Sequence, residues 1–104
     1  MSEPERTADG RHIIVAGRRW RAQDPDIPED AAAELRRNLG KARSAVRSAR
    51  RAEDDAALAA ARHRVGIAKH GLGERGEPWW EQDAPTRERR WRTALDQLGS
   101  LDSQ

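Results

Sequence analysis

Residues 35–72 read LRRNLGKARSAVRSARRAEDDAALAAARHRVGIAKHGL, and this stretch decides the fold. Apolar residues recur at spacings of three and four on both sides of the acidic segment 53–55. They are Leu35, Leu39, Ala42, Val46 and Ala49 before it, and Leu58, Ala61, Val65, Ala68 and Leu72 after it. Such spacing places each set on one face of a helix and therefore predicts two amphipathic helices.

The two apolar faces would point in opposite directions on one straight helix. Continued beyond Ala49 at its own period, the first face misses Leu58, Val65 and Leu72 by about half a turn. A bend near residues 52–55 brings the faces together, and the acids there suit the start of a new helix. We therefore predict an antiparallel helical hairpin. A continuous rod is the alternative, because no Gly or Pro marks the corner.

A short β-hairpin is expected at residues 12–22. Ile13, Ile14 and Val15 favour a strand, and Ala16 with Gly17 can form a two-residue turn. That turn pairs Val15 with Arg18 and Ile13 with Trp20. Ile13, Val15 and Trp20 then share one face, which we expect to lie on the helices.

The remaining organisation follows from turn residues and caps. We predict a disordered leader at 1–10 and one α-rich domain at 11–99. Its helices should span 28–51, 55–70 and 85–98. We expect Gly71 and the glycines after it to end the second helix and Gly99 to end the third, so residues 100–104 should form a frayed tail. The fold class is therefore mainly α, with an antiparallel helical hairpin, a short N-terminal β-hairpin and a C-terminal helix.

Composition narrows the classes of function. Of the 104 residues, 36% are hydrophobic and 37% charged, and none is cysteine, which excludes disulfides and thiol chemistry. The sequence has neither the roughly 18-residue apolar run of a membrane span nor the apolar core of a signal peptide. We expect a cytoplasmic protein that does not use a membrane as a partner.

Arginines form one flank of the first predicted helix. Arg36, Arg43, Arg47 and Arg50 lie about 60–120° from Leu35 around the axis, with no carboxylate among them. We call these four residues the arginine flank, and Lys41 and Arg51 support it from the solvent side. Such a row can bind phosphates, which favours a nucleic-acid partner and non-specific binding. A solvated helix face is the alternative interpretation.

A protein-interaction module or homodimer is the alternative function. The second helix also has apolar residues behind its main face, including Ile67, so a further element or a second copy of the chain should cover it. Trp79 and Trp80 are adjacent and could anchor an interface. The candidate interface residues are Ile67, Trp79 and Trp80.

An enzyme is not expected from this sequence, and neither is a cofactor. Ser44 and Ser48 lack a nearby histidine or an elbow motif. His63 and His70 are seven residues apart, farther than helical metal ligands usually are, and have no third ligand between them. We predict no metal site.

Two motifs resemble a family of uncharacterised bacterial proteins. They are RHIIVAGRRWR at 11–21, followed by Asp24-Pro25 and Ile27-Pro28, and LGERGEPWWE at 72–81. The family is frequent in actinobacteria, and its members often carry the label "biopolymer transporter Tol". The resemblance covers most of the chain and implies no catalytic residues. Tol transporter components are membrane-anchored, and this sequence departs from them because it lacks an apolar run of spanning length.

Overall fold

The computed structural model describes residues 4–104, in which three helices follow a small antiparallel sheet. The elements are β1 (Glu5–Arg6), β2 (His12–Val15), β3 (Arg18–Arg21), α1 (Glu29–Arg51), α2 (Asp55–Leu72), a 3-10 turn (Trp79–Glu81) and α3 (Ala84–Asp102). α2 packs against both α1 and α3. The predicted mainly α fold, with its helical hairpin, N-terminal β-hairpin and C-terminal helix, is confirmed.

The predicted apolar faces of α1 and α2 meet in the core. Leu35, Leu39 and Ala32 of α1 are buried against Ala68 and Leu72 of α2. α3 completes the same cluster with Ala94 and Leu98, and Ile67 on the back of α2 packs against it. Ala56, Ala59 and Ala60, on the back of the first turns of α2, remain exposed.

The corner between α1 and α2 is a tight, hydrogen-bonded turn without glycine. Glu53 adopts a left-handed conformation (φ 53°), and its N–H donates to Arg50 O at 3.2 Å. Asp54 N–H donates to Ala49 O, and the Asp54 side chain accepts from Ala57 N–H at 3.0 Å. These bonds satisfy the end of α1 and cap α2 together, which rules out the continuous rod.

The end of α2 differs from the prediction by two residues, because Gly71 does not terminate the helix. A Cβ on Gly71 would lie 2.5 Å from Ala94 Cβ and 3.0 Å from Leu35 Cδ2. The absence of a side chain at Gly71 thus allows α1, α2 and α3 to approach closely. The helix continues through the fully buried Leu72 and ends at Gly73, which is left-handed (φ 84°).

The predicted frayed tail at 100–104 is wrong over most of its length, since α3 continues to Asp102. Leu101 is half-buried, and Asp102 accepts from Arg64 of α2 at 2.6 Å. These contacts hold the last turn, and Gly99 remains inside the helix.

The sheet has the predicted β2–β3 register and one strand more than predicted. Val15 pairs with Arg18, and Ile13 pairs with Trp20. Glu5 and Arg6 add β1 along β2, so the predicted disordered leader is wrong for this part. Residues 1–3 of that leader lie outside the described residues. The sheet face does not pack closely on the helices, because Val15 and Trp20 remain 46% and 42% exposed.

Glycine at the corner should stabilise the protein. A left-handed conformation costs an L-residue about 1–2 kcal/mol, and Glu53→Gly removes this cost from the folded state. Part of the gain is offset because glycine also increases the conformational entropy of the unfolded chain. We expect Glu53→Gly to raise the free energy of unfolding by about 0.5–1 kcal/mol in urea titrations. Glu53→Ala, which keeps the unfavourable conformation, is the control. Equal stability of the two variants would contradict this account of the turn.

A methyl group at Gly71 should have the opposite effect. Gly71→Ala must displace Ala94 or Leu35, and we expect a loss of about 1–3 kcal/mol, as in overpacked cores. Gly99→Ala is the matched control in a helix, because a Cβ there meets nothing within 4 Å. It should gain up to about 1 kcal/mol from helix propensity. Thermal unfolding of both variants compares close packing with propensity directly.

Candidate functional site

The first turns of α1 contain arginines that are already engaged in ion pairs. Arg36 Nη2 donates to Glu29 Oε1 at 2.6 Å, and its Nη1 donates to Gln23 Oε1 at 3.0 Å. Arg37 pairs with Glu34 on the same helix. Such exposed pairs contribute little stability, but they place Arg36 apart from the rest of the arginine flank.

The other members of the flank lie on a groove between the two helices of the hairpin. This arginine groove has a volume of about 440 Å³. Its lining residues are Arg43, Val46, Arg47 and Arg50 of α1, Arg62 and Val65 of α2, and Arg75 of the loop after α2. Among residues 4–104, no carboxylate comes within 4 Å of any of these five guanidinium groups to form an ion pair.

Local packing explains why Arg62 and Arg75 join the groove. Arg62 follows the buried Ala61, so it stands at the rim of the seam that α2 makes with α1. The Arg75 guanidinium folds back over α2, where its Nη1 lies 3.8 Å from the position of a Cβ on Gly66. The sequence prediction missed both. Helical periodicity places Arg62 on the flank of α2, whereas no sequence signal indicates Arg75.

The local electrostatic field is positive. Burial lowers the pKa of Lys69, and repulsion from Arg75 and Arg43 lowers it further. Burial also raises the pKa of Glu74, although Lys69 and Arg43 act in the opposite direction. Since like charges repel, five unpaired arginines around one groove form a site that favours an anion with several negative charges.

A second groove lies between the sheet and α1 and adjoins the first at Arg43. This sheet groove has a volume of about 560 Å³ and shares Arg43 with the arginine groove. It is lined by Ile13, Val15 and Trp20 of the sheet, Arg36, Leu39, Gly40 and Arg43 of α1, and Lys69 and Glu74. Its lining is thus apolar on the sheet side, and α1 and the end of α2 add the cations Arg36, Arg43 and Lys69 and the carboxyl group of Glu74.

Two of the residues predicted to bind nucleic acid lie away from both grooves. Lys41 and Arg51 are exposed on α1, and neither lines either groove. The structure therefore groups Arg43, Arg47 and Arg50 at one site and leaves Lys41 and Arg51 on the solvent side of the helix.

The candidate interface residues are largely in contact with the protein itself. Trp79 is buried, and its Nε1 donates to Ala22 O at 2.9 Å, so the prediction that it anchors an interface is corrected. Trp80 is half-buried beneath Arg11, whose guanidinium carbon lies 5.0 Å from the ring centroid. Ile67 is half-buried against the core cluster.

A buried charge cluster connects the parts of the fold, and the sequence prediction missed it. Asp24 is 1% exposed. Its Oδ2 accepts from Arg87 Nε at 3.0 Å and from Arg90 Nη2 at 2.5 Å, and its Oδ1 accepts from Asp26 N–H at 2.9 Å. Arg90 also donates to Gly71 O and to the Gln82 side chain. These partners are remote in sequence, so no local pattern indicates them.

The ionised form of Asp24 is the stable one. Burial alone would raise the pKa of Asp24, but hydrogen bonds from Arg87 and Arg90 outweigh it and hold the pKa below its ordinary value of 3.8. The hydrogen bond to Asp24 raises the pKa of Arg87. Every oxygen of the carboxylate is occupied internally, so this cluster serves as a structural connection.

Comparisons with known proteins identify no relative. No family model, no curated protein and no solved structure matches the chain. Within residues 4–104, no helix combines the length and the apolar character that a membrane span requires. The described residues also bring together no three His, Asp or Glu side chains that could hold a metal ion.

Acidic pH should lower the free energy of unfolding of the protein, because it protonates Asp24. A carboxyl group whose pKa is lowered by folding stabilises the protein above its unfolded pKa, and this contribution is lost as the pH falls through the folded value. At pH 7 we expect Asp24→Asn to lose about 3 kcal/mol or more, because the buried arginines lose their counter-charge. Below about pH 4 the difference from the original protein should shrink. Asp96→Asn, an exposed change on α3, is the control in urea titrations, and an undiminished difference at acid pH would contradict this role.

Proposed function

We propose that this chain is a non-enzymatic cytoplasmic protein that binds nucleic acid through the arginine groove. The observation that carries the proposal is the convergence of five unpaired arginines from α1, α2 and the following loop on one concave site. Guanidinium groups bind phosphates in a bidentate way and remain charged at any physiological pH.

The spacing along α1 suits a chain of phosphates better than a single anion. Arg43 and Arg50 are seven residues apart, which is about 10 Å along the helix axis. Arg62 and Arg75 face them from the other side of the groove. A ligand with charges distributed over a similar length can contact both walls at once, as a nucleic-acid backbone does.

The alternative, a protein-interaction module or homodimer, has less support. Ile67 on the back of α2 packs against the core cluster, and Trp79 is buried. Of its candidate residues, Trp80 and Ile67 retain partial exposure. Light scattering that shows a dimer whose formation depends on Trp80 would favour this alternative.

Salt dependence tests the proposed function. For a single strand, the logarithm of the affinity should fall with the logarithm of salt concentration with a slope of about −3 to −4 if all five arginines contact phosphates. Replacing Arg47 and Arg62 with Gln should reduce the magnitude of that slope by about 1.4 and the affinity at low salt by about tenfold or more. Fluorescence anisotropy with a labelled oligonucleotide measures both quantities.

The matched control is the double replacement of Lys41 and Arg51 with Gln. It removes the same two charges from exposed positions outside both grooves. We expect its slope and affinity to remain close to those of the original protein. Absence of binding at low salt, or equal losses in the two double variants, would overturn the proposal.

A further inference from the structure

The sheet groove offers an apolar aromatic surface directly beside the arginine groove. Val15 and Trp20 are the large hydrophobic residues that remain exposed among residues 4–104. Both line the sheet groove, together with the half-buried Ile13. The exposed large hydrophobic side chains of the described chain therefore lie together in a groove that adjoins the cationic one.

The two grooves adjoin at Arg43, which lines both of them, and we call the pair the track. Lys69 lines the sheet groove and lies near Arg43. From Gly40 to Arg50, α1 rises by about 15 Å along this track. A ligand that extends through both grooves meets guanidinium groups along the arginine groove and then an indole face with aliphatic neighbours.

The Trp20 ring makes two cation–π contacts and remains partly accessible. The Arg18 guanidinium carbon lies 4.7 Å from its centroid, and Lys69 Nζ lies 5.6 Å from it. Trp20 as a residue is still 42% exposed, so a base stacks on the ring by displacing one of these cations. Stacking on an aromatic side chain accepts any base, because every base has a π-face.

The floor of the sheet groove is open at Gly40. A Cβ built on Gly40 meets nothing within 4 Å, so the helix surface there faces open space in the groove that Trp20 and Leu39 also line. Such a space suits a flat group inserted between the sheet and α1. A nucleobase is such a flat group. When the phosphates of its strand bind the neighbouring arginines, the base is brought to this position.

We infer that the ligand of this track is single-stranded nucleic acid, with its phosphates in the arginine groove and one base stacked on Trp20 in the sheet groove. The inference rests on the proposed function and adds the strandedness of the ligand. In a duplex the bases are paired and stacked on each other, so they cannot reach Trp20 while the backbone follows the arginines.

An abasic oligonucleotide separates the two proposals. It carries the same phosphates as a single strand of about twelve nucleotides, a length within the usual footprint of such proteins, but offers no base. We expect the protein to bind the base-containing strand about tenfold more tightly than the abasic strand. Binding of a duplex of the same length should not depend on Trp20, because its paired bases cannot stack on the ring, and a weaker affinity for the duplex after Trp20→Ala would overturn the inference.

Two variants test the role of the sheet groove. The Trp20→Ala variant should bind both strands with the affinity that the original protein has for the abasic strand. Gly40→Gln should act in the same way by filling the groove, and it is expected to improve helix propensity, so a loss of binding would not reflect unfolding. The double replacement of Arg47 and Arg62 with Gln should instead weaken the binding of both strands.

The outcomes are distinguishable. Equal binding of the base-containing and abasic strands, with the arginine dependence intact, would overturn the inference and leave the proposed function standing. Binding of neither strand at low salt would overturn both. A mononucleotide that competes as strongly as the full strand would also overturn the inference, because the ligand would then be a free nucleotide.

Discussion

The buried cluster of Asp24 with Arg87 and Arg90 is the interaction on which the tertiary arrangement depends. It joins the segment after the sheet to α3, and through Gly71 O it joins both to the end of α2. Asp24 N–H also donates to Leu72 O at 2.9 Å. Desolvating three charges is expensive, and the complete set of hydrogen bonds offsets that cost. An alanine-rich core that buries little area per residue gives such a connection a larger role.

The same cluster influences where positive charge remains available. On α3, Arg87 and Arg90 face internal carboxylates, and the Arg87 guanidinium also reaches Asp26 at 2.9 Å. On the facing sides of α1 and α2, no described carboxylate pairs with the arginines of the groove. The nearly balanced net charge of +2 therefore does not show that Arg87 and Arg90 are paired while the five arginines of the groove are not. That difference in pairing gives the arginine groove its field.

Periodic patterns made the helices, the turn at residues 52–55 and the β2–β3 register predictable. Each depends on spacing within about twenty residues, and the flank that includes Arg43, Arg47 and Arg50 belongs to this class. The Asp24 cluster and the contribution of Arg75 were not predictable, because both depend on tertiary contacts between distant segments. The ends of α2 and α3 were placed wrongly for a related reason. Glycine was interpreted as a terminator, whereas packing at Gly71 and the Arg64–Asp102 pair extend the helices.

The composition of the α1–α2 seam explains why arginines from two helices meet at all. The seam contains buried alanines, Ala42 and Ala49 on α1 and Ala61 and Ala68 on α2, where many helical pairs have leucine. The distance between packed helices depends on the side chains at their contact, so small residues bring the axes close together. The long side chains at the rim of a close pair then lean over the same space. A seam of larger residues would separate the two rims and disperse the guanidinium groups. The alanines that make the core modest are thus also the residues that concentrate the charge.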